Sequence, residues 1–385
     1  MQLQVRYQHM VKIMIAPGRY IQGPGVLAEA GKYIHHLGSR FFVVGGRVAL
    51  RAVQGSLSAS LSANGLTCQF QSFSGMCTRA GTNELVEQAR TFGAEVIVGV
   101  GGGSAIDSAK GISHELGALP LVICPTVASS DAPCSALAVQ HTPDHGLDRF
   151  LLLKRSPDVV LVDSQVIAQA PVRFFVAGMG DALATWFEAF TCTKSSATNM
   201  PGGVSTMAAL GMARICYDTL MEYGVSAKLA VERKALTPAV ERVIEANTLL
   251  SGLGFESSGL AAAHGIQEGL AVMEETHGSM HGEMVAYGTI AQLVMESYPQ
   301  AEIDRVIDFC EAVGLPITLK QLGITDASGA HLRRAAEVAC GEGLTTHNSY
   351  FKVTPDLVIG ALQGANALGE HRLRVLRSRT ARTDS

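Results

Sequence analysis

The sequence is poor in charge. Only 17% of its 385 residues are Asp, Glu, Lys or Arg, and the formal net charge is −4. Without a positive excess there is no electrostatic case for nucleic acid or an anionic membrane as partner. No apolar run reaches the roughly 20 residues a spanning helix requires. The N-terminal segment holds Arg6, His9 and Lys12 and lacks a long apolar stretch with a cleavage site, so it does not read as a signal peptide. Met10 is a candidate natural start, with residues 1–9 as a short extension. The eight cysteines, at 68, 77, 124, 134, 192, 216, 310 and 340, form no CxxC pair. That speaks against a zinc finger or disulfide framework and suits the reduced thiols of a cytoplasmic protein. Also missing are a GxGxxG loop after the first strand, a Gly-Lys-Ser/Thr phosphate loop, and any Ser-His-Asp or Cys-His set for covalent hydrolysis.

What is present is apolar residue, at 47%, and glycine, at 41 positions. The first supports a large core, and the length suggests two domains. Up to about residue 170 the chain alternates β-type and helical runs. Arg40–Val44, Thr67–Phe73, Glu95–Val100, Leu119–Cys124 and Asp158–Asp163 read as strands. Ala49–Ala63 reads as a helix, and Thr82–Phe92 as another opened by Thr82. Such alternation predicts a parallel sheet with helices on both faces. From Pro171 the β-branched runs give way to Ala, Leu, Met and Glu. Helices are expected over Asp181–Ala189, Ser205–Tyr223, Ala239–Leu253, Leu260–Met273, Val285–Glu296 and Ala301–Val313. The expected domains are thus 1–170, α/β, and 171–369, all-helical. Residues 370–385, with Arg372, Arg374, Arg377, Arg379 and Arg382, read as a basic, mobile, solvated end.

The strand ending at Val100 runs into Gly101-Gly102-Gly103-Ser104-Ala105-Ile106-Asp107-Ser108-Ala109-Lys110. Glycines let a backbone approach an anion closely, and the following helix points free N–H groups at the same place. A plain tight turn is the alternative, and three adjacent glycines favour phosphate. Farther on, Asp181 opens a helical run and His264 and His281 lie in the helical half. Taken singly they read as a helix cap and two hydrogen-bonded core histidines; taken together they form a possible metal set.

Several stretches resemble the glycerol dehydrogenase branch of the iron-containing (group III) alcohol dehydrogenases. They are Gly101–Lys110, Pro125–Leu137 (with Ser129-Ser-Asp131-Ala-Pro133), Gly178–Glu188, Leu249–Ser257, Ala261-Ala-Ala-His264-Gly and Met280-His281-Gly-Glu283. The resemblance covers roughly Lys12 to Gly369. It implies an N-terminal Rossmann-like α/β nucleotide domain, an all-α C-terminal domain and an active site in the cleft between them. It also implies a divalent metal on Asp181, His264 and His281, zinc by the habit of this branch, with iron as the alternative the same ligands accept. The implied reaction oxidises glycerol or a related small vicinal diol to dihydroxyacetone, with hydride transfer to NAD. Asp131 would recognise a substrate hydroxyl, although an Asx turn explains it equally. Gly102, Gly103, Ser104, Asp107, Ser108, Thr126, Ser129, Ser135 and Leu137 would line the cofactor. The family also implies a homo-oligomer.

Two positions depart from the family pattern. Its acidic residue after the first nucleotide-domain strand is replaced by Gly46-Arg47, and an arginine there suits the 2′-phosphate of NADP. Where relatives carry a Tyr beyond the Ser-Asp-Ala-Pro segment, this chain has His141, a titratable group beside the cofactor. His277, four residues before His281, reads as a pocket wall on the same helical face. The rival functions are a phosphorylated-substrate dehydrogenase of the glycerol-1-phosphate kind and a non-catalytic nucleotide-binding protein. Few basic residues flank Asp181, His264 and His281, which disfavours the first; the intact metal set disfavours the second.

Overall fold

A computed structural model of the chain describes residues 11–142 and 146–383. Met10, the candidate start, lies outside the described residues, as do residues 384–385 of the basic end. The chain forms two compact units. One comprises Ile15–Gly178 and Ser226–Glu256; the other comprises the described residues of Met1–Met14, Met179–Val225 and Ser257–Ser385. The expected fold class, a Rossmann-like α/β part and a helical part, is what the chain builds.

The strands are β1 (Arg19–Gly23), β2 (Arg40–Gly46), β3 (Thr67–Phe73), β4 (Val96–Gly101), β5 (Leu121–Pro125), β6 (Leu137–His141), β7 (Leu147–Leu152) and β8 (Val159–Asp163). Six of them form one sheet in the order β1-β8-β5-β4-β2-β3, with every pairing parallel. β4, β5 and β8 are buried at every residue, as a sheet covered on both faces requires. The core on one side gathers Phe41, Val43, Val98, Val100 and Leu161 against Val53, Leu57 and Leu61. β6 and β7 pair separately as an antiparallel hairpin.

The longer helices are α1 (Arg47–Ala63), α2 (Arg79–Phe92), α3 (Gly103–Glu115), α4 (Val172–Ser195), α5 (Met207–Glu232), α6 (Pro238–Glu245), α7 (Ser251–Ser258), α8 (Ala262–Ala271), α9 (His281–Met295), α10 (Gln300–Val313), α11 (Gly329–Ala339) and α12 (Pro355–Thr383). Some differ from expectation in ways that have physical reasons. α2 starts one turn early because Thr78, not Thr82, caps it, its Oγ1 accepting from Gly81 N at 3.1 Å; Thr82 is buried instead. The predicted run Ala239–Leu253 is split by a π-helical turn at Ala246–Leu250 between α6 and α7. The basic stretch after Gly369, expected as a loose end, continues α12 to Thr383. Leu373, Val375 and Leu376 keep one half-buried face going, and Arg372 pairs with Asp308 at 2.6 Å.

Candidate metal centre and nucleotide cavity

The metal set assembles on three helices of one unit. Asp181 does not open its helix, as the sequence suggests; it lies inside α4, completely buried, with its carboxylate aimed across the helix pack. His264 sits in the first turn of α8 and His281 is the first residue of α9. Nε2 of His264 and Nε2 of His281 approach the same oxygen, Asp181 Oδ1, at 3.3 and 3.2 Å. One ligand atom from each of the three lies within 4.8 Å of the other two. The His281 side chain is 44% exposed and His264 only 11%, so the cluster is reached from the His281 side.

Glycine makes this convergence possible. A Cβ on Gly180, beside Asp181, would stand 2.2 Å from the carbonyl oxygen of Gly282, beside His281. A Cβ on Gly288 would stand 2.5 Å from Ala263 O, beside His264. The backbones of α4, α8 and α9 therefore touch where the three ligands project. Glu283 reaches back to accept from Met280 N at 2.8 Å and fixes the start of α9.

The electrostatics suit a cation. Burial alone would raise the Asp181 carboxyl, but His281 and His264 outweigh it and hold it well below the usual carboxylate range. Burial alone would depress His264, yet Glu188 and Asp181 lift it well above the usual imidazole value. Burial also opposes charge on His281, and Asp181 reverses this to a net rise. Glu268, one turn along α8 from His264, is raised by burial and faces both histidines. Two imidazole nitrogens and one carboxylate are a donor set for zinc or iron that leaves coordination positions open. The residues present therefore fit the metal the resemblance implies. His277 takes no part: it is exposed, follows the short turn Glu274–Thr276, and precedes α9 rather than sharing it.

The other unit holds a cavity of 1240 Å³ over the ends of β2, β3 and β4. Gly101 at its base has φ +144°, a conformation open to glycine, and turns the chain from β4 into α3. No side chain caps α3 at Gly102, which leaves the first N–H groups of the helix for a ligand. Gly102, Gly103, Ser104, Ser108, Thr126 and Ser129 line the cavity, as does Arg47. Asp107, Ser135, Leu137 and His141 are not among the lining residues. Asp107 lies in α3 with Oδ1 4.0 Å from Lys110 Nζ. The Ser135 hydroxyl is 3.0 Å from that same ammonium, and Leu137 O accepts from it at 2.6 Å. His141 ends β6, its backbone N–H donating to Cys77 O.

Lys110, Ser251 and Glu256 lie within the stretches that carry the family resemblance and Asn247 does not, but the sequence alone assigns none of the four the contacts it makes here. Lys110 is fully buried beneath the segment 126–137, and its ammonium also donates to Ala132 O at 2.7 Å. Glu256 accepts from Ala136 N at 2.5 Å. The π-helical turn carries Asn247, which donates to Ala128 O and Phe175 O. Just beyond it, Ser251 donates to Asp131 Oδ2 at 2.8 Å, which fixes the buried carboxylate of Asp131. The signal available in the sequence was ionisable and amide side chains within otherwise apolar helical runs.

A family model for iron-containing alcohol dehydrogenase matches residues 17–164. The chain is 47% identical to a glycerol dehydrogenase of Escherichia coli O6:H1, over 95% of this chain and 99% of that one. A crystal structure of glycerol dehydrogenase from Schizosaccharomyces pombe superposes with a TM-score of 0.91 at 36% identity, covering 94% of this chain and 92% of the other. A probable glycerol dehydrogenase from Sinorhizobium meliloti 1021 gives 0.88 at 43% identity, with 94% and 99% covered.

Proposed function

This chain belongs to the iron-containing alcohol dehydrogenase family, and we propose that it oxidises glycerol, or a related small vicinal diol, to dihydroxyacetone with NAD as hydride acceptor. The observation that carries the reading is the convergence of Asp181, His264 and His281 on one point in the helical unit. We assign the three as ligands of a divalent metal, zinc ahead of iron. Bound there, the metal would supply Lewis acidity that lowers the pKa of a substrate hydroxyl. Nicotinamide, in turn, is the acceptor such chemistry needs.

The chain's own contributions are binding, orientation and charge. The N-terminus of α3, with Gly102, Gly103 and Ser104, offers N–H groups to a pyrophosphate, and the cavity they line has room for a dinucleotide. Thr126 and Ser129 supply further polar groups at its edge. We assign Asp131 to a substrate hydroxyl; Ser251 fixes the orientation of its carboxylate. Asp181, kept ionised, compensates positive charge gathered beside it. A homo-oligomer is the expected assembly by family habit.

The test measures reduced nicotinamide formed from glycerol by chelator-stripped protein, before and after zinc is added, with NAD and NADP in parallel. Zinc-dependent turnover with NAD is expected. No turnover with either cofactor, across a panel of short diols, overturns the assignment.

A further inference from the structure

The His264 ring is gripped on both of its nitrogens. Asp181 Oδ1 stands 3.3 Å from Nε2, and Glu188 Oε2 stands 2.6 Å from Nδ1. Both acids belong to α4, seven positions apart, which places them on one face of the helix. Glu188 is fully buried and has no Lys or Arg ion pair among the described residues. Its charge is met by N–H groups instead. Oε1 accepts from Ala261 N at 2.8 Å and His264 N at 3.0 Å, two of the amides that the start of α8 leaves without helical partners.

We propose that Glu188 is a positioning residue of the metal centre: it holds His264 as the Nδ1–H tautomer and so reserves the Nε2 lone pair for a divalent metal ion. The proposal rests on the reading that Asp181, His264 and His281 hold that ion. Both carboxylates beside the ring can only accept, and Glu188 is the closer, at 2.6 Å against 3.3 Å for Asp181, so when the ring yields one proton to a metal it is Nδ1 that keeps its own. In a neutral imidazole with its proton on Nδ1, Nε2 is the unprotonated donor, and Nε2 is the atom that faces Asp181 and His281.

A purely structural role, holding the turn at Ala261, makes a different prediction. The isosteric amide of Glu188→Gln can keep its oxygen on the two backbone N–H groups, which fixes its NH2 group toward Nδ1. The reverse orientation would set NH2 against two N–H donors. With an NH2 donating to Nδ1, the proton of the neutral ring moves to Nε2. There it satisfies Asp181 in the metal-free protein and removes the lone pair a metal needs. Glu188→Gln therefore preserves the fold and impairs the metal centre.

The experiment titrates zinc into metal-stripped, full-length protein against a chromogenic chelator, alongside thermal melting of the metal-free forms. Wild type is expected to bind about one zinc per chain. Glu188→Gln is expected to bind about 10- to 100-fold more weakly, the range for loss of a partner behind a ligating histidine, with its metal-free melting midpoint retained. Equal zinc affinity in the two proteins overturns the proposal and leaves the metal assignment standing. Wild type that binds no zinc removes both. Should Glu188→Gln not fold, 15N-histidine spectra of zinc-loaded wild type decide, with His264 assigned from its missing signals in His264→Asn. A proton on Nδ1 of His264 supports the proposal; a proton on Nε2, or on neither nitrogen, overturns it.

Discussion

At Arg47 one side chain bears on the choice between two cofactors. It is the first residue of α1, where β2 ends, and it lines the nucleotide cavity with its guanidinium exposed and in no ion pair among the described residues. In parallel nucleotide-binding sheets this is where the adenosine ribose is read: a carboxylate suits the ribose hydroxyls and an arginine suits a 2′-phosphate. The neighbouring Gly46 offers no competing side chain. Arg47→Asp is expected to shift the ratio of kcat/KM for NAD over NADP toward NAD by about tenfold or more, the worth of one charge-assisted hydrogen bond. Steady-state rates with both cofactors measure it directly. If the ratio does not move, Arg47 has no part in cofactor choice, and the ribose is held by backbone and the serines at 72 and 74 that line the same cavity.

At the scale of elements, the metal centre depends on how closely three helices approach. A methyl group at Gly180 would meet backbone, Gly282 O at 2.2 Å, and no rotamer change relieves that contact. Gly180→Ala should therefore push α4 away from α9, separating Asp181 from His281. The expected result is a loss of about 3 kcal/mol in stability, the upper end for overpacking, and a lowered zinc affinity in the folded fraction. Urea unfolding and the zinc titration read the two effects separately; unchanged values for both would mean that the helices meet elsewhere. The same helices show what the sequence could reveal. The sheet strands were legible because central parallel strands are nearly continuous apolar runs, as Val96–Gly101 and Val159–Asp163 are. β1 was not, since Arg19–Gly23 mixes polar residues with a single aliphatic one and gains its place only by pairing with β8. Asp181 and the two histidines were nameable through the motifs around them. That Asp181 sits inside a helix rather than at its start was hidden, because an apolar segment before an aspartate reads equally as helix or as lead-in. Glu188 ends the Gly178–Glu188 motif, yet its partner, 76 positions away, is fixed only by tertiary packing.

For the whole molecule, a buried cluster in the sheet-bearing unit, built on Glu256 and Lys110, sets a pH dependence of stability. Glu256, 2% exposed, accepts from Ala136 N. Burial pushes its carboxyl up to about 7 from an ordinary 4.5, against the lowering effect of that hydrogen bond and of the Lys110 ammonium. Between those two values the folded chain keeps a proton that the unfolded chain has lost. The stability contributed by Glu256 is therefore complete below about pH 4.5 and falls away as pH rises through 7, by about 3 kcal/mol. Lys110 works in the opposite electrostatic sense: burial lowers its affinity for a proton, while Asp107 and Glu256 partly restore it. Its three acceptors, Ala132 O, Ser135 Oγ and Leu137 O, reward the charged form. Glu256→Gln keeps an acceptor for Ala136 N and removes the titration. The unfolding free energy of wild type relative to Glu256→Gln should then decline by about 3 kcal/mol from pH 4.5 to pH 8, with most of the change below 7. Paired denaturant curves at half-unit pH steps measure that difference while cancelling groups common to both proteins. A flat difference across the window would mean that Glu256 ionises normally in the fold, with the Lys110 charge outweighing its burial.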